Sequence, residues 1–172
     1  MKQLAFIGDS LTQWFGWGRR FPSYKVVNRG ISGERVEELL ARMPDIYDEV
    51  GNPDFIFLMT GINNIGEGNY LFMDDYREIV RNFTARYKKA RVVVQSILPT
   101  ALDWIDNNRI QVFNRRLMEI AQEFNADYLD VYRLFVDARG NPNVDQLMED
   151  GAHVSSKGYE VWANEVERFL EK

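Results

Sequence analysis

Residues 6–12, Phe-Ile-Gly-Asp-Ser-Leu-Thr (FIGDSLT), end an apolar run with a glycine, an acid and a serine. This order is typical of a strand that turns directly into a helix, because Ser and Asp cap helices by accepting hydrogen bonds from free backbone N–H groups. Ser10 is therefore a candidate for helix initiation and, equally, for nucleophilic catalysis. Other residues of the chain are needed to decide between these two roles.

Five short apolar runs, rich in β-branched and aromatic residues, predict strands. They are continuous rather than alternating, which is typical of strands buried on both faces of a parallel sheet. Helical patterns separate most of them, and this alternation predicts an α/β fold with a parallel sheet. The predicted strands are Leu4–Ile7, Lys25–Asn28, Phe55–Met59, Val92–Gln95 and Tyr128–Val131, and the predicted helices are Glu34–Met43, Asp74–Tyr87, Arg109–Phe124 and Ser156–Leu170.

The composition excludes several classes of protein. The 172 residues suit a single domain over 1–172, and the net charge of −5 without a dense basic block argues against a nucleic-acid partner. The chain has no cysteine, which excludes disulfides and a thiolate nucleophile. No apolar run approaches the roughly 18 residues needed to span a bilayer, so no stable membrane insertion is expected.

The N-terminal sequence MKQLAFIGDS has too short an apolar run for the core of a signal peptide. We therefore expect a cytoplasmic protein, or a secreted or periplasmic one if a signal peptide has been removed.

Polar and conformationally permissive residues follow the first four predicted strands. Ligands of parallel α/β folds bind beyond the carboxyl ends of the strands, so these segments are where chemistry is expected. Taken singly, their glycines and asparagines are better explained as turn residues. The segments are GDS at 8–10, NRGISG at 28–33, TGINN at 60–64 and LPT at 98–100.

The only histidine, His153, follows Asp150 by three residues in the segment DGAH, directly before the last predicted helix. A carboxylate at this spacing can accept a hydrogen bond from imidazole Nδ1–H and leave Nε2 free as an acceptor, which is the orientation of a general base. One histidine cannot form a multi-histidine metal site, so we expect neither a metal nor another cofactor.

A serine, an Asp–His pair, backbone N–H groups and an asparagine amide together form the set that acyl transfer from an ester requires. The serine needs an adjacent base, the base needs an orienting carboxylate, and the tetrahedral intermediate needs donors for its oxyanion. We predict catalytic roles for Ser10, Asp150 and His153. The predicted oxyanion donors are Ser10 N–H, Gly30 N–H and the Asn63 side chain.

These segments resemble the four sequence blocks of the SGNH, or GDSL-type, esterases and lipases. GDSLT, the glycine of NRGISGE, GINN and DGAH occur in the family's order and span nearly the whole chain. The resemblance implies Ser10 as nucleophile, with Gly30, Asn63, Asp150 and His153 in the other blocks. It also implies a flavodoxin-like three-layer α/β/α sandwich, whose five-stranded parallel sheet has the strand order 2-1-3-4-5, and an exposed site without metal.

GINN and the segment KGYEVWA most resemble the branch that includes platelet-activating-factor acetylhydrolase subunits and bacterial lysophospholipase-like or acetyl-esterase proteins. Two residues depart from the family pattern. Asn64 stands where many relatives have Asp, and Val154 stands where they often have Pro. Relatives occur as monomers and as dimers, so the resemblance implies a monomer or a homodimer.

The expected substrate is a small-molecule ester, most simply a short-chain or acetyl ester of a lipid or carbohydrate, because no long apolar lid is evident. The alternatives are lysophospholipase or thioesterase activity on longer acyl chains, a phosphatase on the same scaffold, and a non-catalytic binding module. Trp14 and Trp104 are equally well explained as pocket walls and as packing residues. The candidate substrate contacts are Asp9, Trp14, Asn64, Pro99 and Trp104, with a local hydrogen-bonding role as the other reading of Asp9.

Overall fold

The computed structural model describes the whole chain from Met1 to Lys172 and contains five strands. Each predicted strand is present, although β5 begins one residue earlier than predicted and ends two residues earlier. The chain leaves the sheet there because the following residues enter a short 3₁₀ helix, Tyr132–Leu134. The strands are β1 (Gln3–Gly8), β2 (Lys25–Gly30), β3 (Phe55–Met59), β4 (Arg91–Gln95) and β5 (Asp127–Leu129).

All five strands are parallel and lie in the order β2-β1-β3-β4-β5, which confirms the predicted fold. The register pairs Gly8, the last residue of β1, with Gly30 on one side and Met59 on the other. The carboxyl ends of β2, β1 and β3 therefore meet at one edge of the sheet. This arrangement brings the segments that follow these strands together.

Seven helices connect the strands, and an eighth follows β5. The predicted helix Glu34–Met43 is divided in two at Arg42, and Pro44 lies at the start of the second part, where a missing N–H group costs no hydrogen bond. None of the helices has the combined length and apolarity needed to cross a bilayer. The helices are α1 (Ser10–Gln13), α2 (Trp17–Arg20), α3 (Val36–Ala41), α4 (Met43–Val50), α5 (Ile62–Gly66), α6 (Met73–Arg86), α7 (Asn107–Glu123) and α8 (Ser156–Leu170).

Alternate strand residues supply two separate apolar cores, one on each face of the sheet. Ala5 and Ile7 of β1 pack under α3, α4, α6 and α7, whereas Leu4 and Phe6 pack under α2 and α8. Burial of both strand faces explains why the strand sequences are continuously apolar. The resulting three layers leave only the ends of the strands open to a ligand.

Candidate active site

Ser10 lies directly beyond the carboxyl end of β1, as the first residue of α1. Asp9 caps this helix, because its Oδ1 accepts a hydrogen bond of 3.0 Å from Leu11 N–H. The N–H groups of a first helical turn have no intrahelical partner, and Ser10 N–H donates to no other group of the protein. The helix start therefore leaves both the hydroxyl and the N–H of Ser10 at the edge of the sheet.

The loop before α8 presents His153 to Ser10. Asp150 Oδ1 accepts hydrogen bonds from the backbone N–H groups of Ala152 and His153, each at 2.9 Å, and this turn directs Oδ2 to within 2.6 Å of imidazole Nδ1. A carboxylate can only accept, so the shared proton belongs to Nδ1 and Nε2 is an acceptor. Nε2 lies 3.1 Å from Ser10 Oγ. The three predicted catalytic side chains thus form one hydrogen-bonded chain.

Asp150 is held in its charged form. Its partial burial alone would raise its pKa, but the hydrogen bonds from His153 N–H, Ala152 N–H and the imidazole outweigh burial and lower the pKa to about 2. The carboxylate is therefore ionised throughout the neutral range. An anion at this position orients the imidazole and stabilises the imidazolium that forms when Nε2 accepts a proton.

Gly30 does not serve the predicted role of oxyanion donor. Its N–H is donated to Asn28 Oδ1 at 3.0 Å, and the residue is buried. The glycine is needed for another reason: a Cβ atom at this position would lie 2.4 Å from Gln13 N and 2.7 Å from Asp9 O. Close packing of β2 against α1, rather than donation to a ligand, explains Gly30.

Gly33, for which the sequence predicts only a turn, has the free N–H group that Gly30 lacks. It is exposed, has a φ of +78° and donates no backbone hydrogen bond. The next residue, Glu34, accepts a 2.9 Å hydrogen bond from Asn63 Nδ2 through its carbonyl oxygen. This contact brings the Gly33 loop against Asn63 and leaves the second N–H of the amide available. The only sequence signal for Gly33 is that it is the second glycine of NRGISG.

Asn63 and Asn64 are neighbours in α5 but occupy different environments. Asn64 is completely buried, where its Oδ1 accepts from Val36 N–H at 2.9 Å and its Nδ2 donates to Glu37 at 2.7 Å. Both ends of this amide are thus used to hold the start of α3. The prediction of Asn64 as a substrate contact is wrong, because no part of its side chain reaches the surface.

Asp9 is also unsuited to contact a substrate, since it is completely buried. Burial, opposed by the Leu11 hydrogen bond and assisted by the nearby charge of Glu34, raises the pKa of Asp9 to about 7. Its Oδ2 has no hydrogen-bond partner. The structure agrees with the alternative reading, in which Asp9 is a local hydrogen-bonding support for the turn that carries Ser10.

The other candidate substrate contacts differ in where they lie. Pro99 is buried in the segment after β4, and Trp104 is exposed, with no hydrogen bond or ring stack to the catalytic side chains. Trp14 is at the site itself. Its indole stacks on the His153 imidazole with the ring centroids 4.1 Å apart and the planes inclined by 14°.

A cavity of about 840 Å³ opens beside the stacked Trp14 and His153 rings. It lies between the α1–α2 segment and the start of α8, and its walls combine aromatic, cationic, anionic and hydroxyl groups. We call it the Trp14 groove. Its lining residues include Trp14, Phe15, Arg19, Ser155, Tyr159 and Glu160.

Comparison with known proteins agrees with this geometry. A family model described as GDSL-like Lipase/Acylhydrolase matches residues 6–161. The bovine (Bos taurus) platelet-activating factor acetylhydrolase IB subunit alpha1 is 29% identical over 91% of this chain and 70% of its own length. An acetylxylan esterase of Geobacillus stearothermophilus is 25% identical over 94% of this chain and 90% of its own.

Among solved structures, a Streptococcus pneumonia protein named for platelet activating factor superposes with a TM-score of 0.88. It is 26% identical, and the match covers 98% of this chain and 84% of that one. The strand order, the four sequence blocks and the matched family model all lead to one assignment. The chain belongs to the GDSL-like lipase/acylhydrolase family and is an ester hydrolase.

Proposed function

We propose that this chain is a serine esterase that hydrolyses short-chain carboxylic esters, acetyl esters above all, through an acyl-enzyme on Ser10. The observation that carries the proposal is the continuous hydrogen-bonded chain from Ser10 Oγ to His153 Nε2, at 3.1 Å, and from Nδ1 to Asp150, at 2.6 Å. A serine hydroxyl becomes a competent nucleophile only beside such a base.

In the first step, His153 Nε2 accepts the Ser10 hydroxyl proton as Oγ attacks the ester carbonyl carbon. The carbonyl oxygen becomes an oxyanion, and the available donors are Ser10 N–H, Gly33 N–H and Asn63 Nδ2–H. Donors fixed in place before the reaction stabilise this charge without reorganisation. The C–O bond to the alcohol then breaks, and the imidazolium returns its proton to the leaving oxygen.

In the second step, water takes the place of Ser10 Oγ as the nucleophile. His153 Nε2 accepts a proton from water, the hydroxide oxygen attacks the acyl carbon, and the bond to Ser10 Oγ breaks as the imidazolium reprotonates it. Asp150 remains an anion throughout, since its pKa of about 2 keeps it ionised. Its function is to hold the imidazole and to stabilise its charged form.

The Trp14 groove supports a substantial alcohol moiety in the substrate. His153 must protonate the leaving oxygen, so the alcohol lies on the His153 side of Ser10. The groove is connected to that side through Trp14, which lines it and stacks on the imidazole. Its volume of about 840 Å³ is within the range of small-molecule sites. The acyl preference rests on the relatives named acetylhydrolase and acetylxylan esterase, both of which are named for acetyl esters.

A series of p-nitrophenyl esters from acetate to palmitate tests the proposal, with Ser10→Ala as the matched inactive control. We expect kcat/KM to be highest for acetate and to fall as the acyl chain lengthens. A rise toward palmitate would favour lysophospholipase or thioesterase activity. No turnover of any ester by a folded protein would favour a non-catalytic binding module. Acetylated xylan and lysophospholipid, assayed in parallel, separate carbohydrate from lipid alcohols.

A further inference from the structure

The stack between Trp14 and His153 joins two parts of the site that lie far apart in the sequence. Trp14 is the C-cap residue of α1, the helix that begins at Ser10. Its indole covers one face of the imidazole at 4.1 Å, while Asp150 binds the imidazole edge at Nδ1. An edge contact alone leaves the ring free to tilt about that hydrogen bond. A flat surface against its face removes this freedom.

The other end of the indole holds the loop that carries Gly33. Trp14 Nε1–H donates a 2.9 Å hydrogen bond to Ser32 Oγ, and Ser32 N–H donates a 2.9 Å bond to Gln13 Oε1. The Ser32 hydroxyl in turn donates to the same Gln13 oxygen. These three bonds tie the loop to α1 immediately before Gly33. Because Gln13 and Trp14 are adjacent in the chain, all three bonds fix Ser32 to the same short segment.

We propose that Trp14 is a positioning residue that couples the general base to the oxyanion loop. Its indole face holds the His153 imidazole in line with Ser10 Oγ, and its indole N–H holds Ser32 so that Gly33 N–H faces the developing oxyanion. The inference rests on the proposed serine mechanism and adds to it a single side chain that orders both halves of the site. The stack also favours the charged intermediate, because an aromatic face attracts an imidazolium.

Variants of two residues separate the two contacts. Trp14→Phe keeps an aromatic face and loses the N–H, Ser32→Ala removes the acceptor, and Trp14→Leu removes both contacts of the indole. One exposed hydrogen bond corresponds to about 5-fold in rate, so Trp14→Phe and Ser32→Ala should each lower kcat by about 5-fold, with little change in KM. Trp14→Leu should lower kcat by roughly 50-fold, since the stack is lost as well.

A double-mutant cycle tests whether the indole N–H and the Ser32 hydroxyl act as one contact. Trp14→Phe combined with Ser32→Ala should be no slower than Ser32→Ala alone, because Ser32→Ala already removes the hydrogen bond that Trp14→Phe removes, together with the bond from the Ser32 hydroxyl to Gln13. Tyr70→Leu is the matched control, since Tyr70 is another exposed aromatic, stacked on Phe113 with a centroid distance of 6.1 Å. We expect wild-type kcat and KM for this variant.

The single histidine gives a readout that does not depend on turnover. The ring signals of His153, followed by NMR at a single pH, report one imidazole without ambiguity. In Trp14→Leu these signals should move downfield, because the ring loses the shielding of the indole stacked on its face at 4.1 Å, and Trp14→Phe should move them less.

The outcomes are distinguishable. Wild-type kcat in Trp14→Leu, unchanged His153 ring signals in that variant, or additive losses in the double variant would each overturn the coupling by Trp14 while leaving the esterase proposal intact. A folded wild-type protein without ester turnover would instead refute the proposed function, and with it this inference. A higher KM with unchanged kcat would show that Trp14 only binds substrate, which also contradicts a positioning role.

Discussion

Two aspartates lie near Ser10, and their environments are opposite. Asp9 precedes Ser10 and is completely buried, with one backbone donor to Oδ1 and no partner for Oδ2. Asp150 reaches Ser10 through His153, has a half-exposed side chain, and accepts two backbone N–H bonds as well as the imidazole bond. Burial raises the pKa of Asp9 to about 7, whereas the donors around Asp150 outweigh its partial burial and lower its pKa to about 2.

In the proposed mechanism Asp150, and not the adjacent Asp9, is the partner of the base, so proximity in sequence is a poor guide to catalytic partnership. A charge on Asp9 would lie directly behind the nucleophile and oppose the developing oxyanion, so the neutral form that burial favours suits its position. A charge on Asp150 lies beyond the imidazole, where it stabilises the imidazolium. Solvent access and the number of N–H donors, rather than residue type, decide which carboxylate works with the base.

The largest expected effect is on kcat/KM, and it distinguishes Asp150 from Asp9. Asp150→Asn should lower kcat/KM for p-nitrophenyl acetate by about 10³–10⁴, because the imidazole loses its orienting anion. Asp9→Asn keeps an oxygen that can accept from Leu11 N–H, so its activity should remain within about 10-fold of wild type. Steady-state assays of both variants, with thermal melts to confirm folding, make the comparison. A greater loss in Asp9→Asn would reverse the assigned roles.

The next largest effect distinguishes the side chains of two adjacent residues, Asn63 and Asn64. Asn63→Ala removes one donor to the oxyanion and should lower kcat by about 10²–10³. Asn64→Ala leaves Val36 N–H without its buried acceptor and should instead cost about 1–3 kcal/mol of unfolding free energy. Assays of rate and urea unfolding on both variants check this division. Equal rate losses in two equally stable variants would contradict it.

The two aspartates should also differ in how they make the free energy of unfolding depend on pH. The pKa of Asp9 is higher in the folded protein than its ordinary 3.8, so its contribution is complete at low pH and is lost as the pH rises from about 4 to about 7. The loss is on the order of 3 kcal/mol, and Asp9→Asn should abolish it. Urea unfolding of wild type and Asp9→Asn at pH 5 and pH 8 measures the difference. Parallel changes in both proteins would contradict the burial argument.

Asp150→Asn is the control for that experiment. The pKa of Asp150 is lowered, so its contribution to stability is present above pH 4 and is lost only as the pH falls toward 2. Between pH 5 and pH 8 Asp150→Asn should therefore keep the loss of stability that Asp9 causes in wild type. If Asp150→Asn abolished that loss as Asp9→Asn should, its assignment to Asp9 would be contradicted.

The strands and the contact between Asp150 and His153 were predictable from local patterns. Buried parallel strands must be apolar on both faces, so runs such as Phe55–Met59 stand out in the sequence. Asp150 and His153 are close in the chain, and their hydrogen-bonded turn is a local property. The strand order came from the resemblance of the four blocks, since apolar runs alone do not specify which strands are neighbours.

The proposed role of Gly33 as an oxyanion donor was not predictable from the same patterns. Gly30 and Gly33 both lie in NRGISG, and the sequence does not show that Asn28 accepts the N–H of the first. Asn63 and Asn64 are equally polar, but the helix directs only one of them away from the core. These differences arise from the packing of α1 and α3 against the sheet, which becomes visible only in three dimensions.

The identity of the nucleophile is the central claim, and covalent labelling tests it most directly. A fluorophosphonate probe should modify the wild-type protein at Ser10 alone, located by peptide mass spectrometry, and modification should abolish ester turnover. Ser10→Ala should be folded, unlabelled and nearly inactive. A label on another residue, or full ester turnover by Ser10→Ala, would contradict the account.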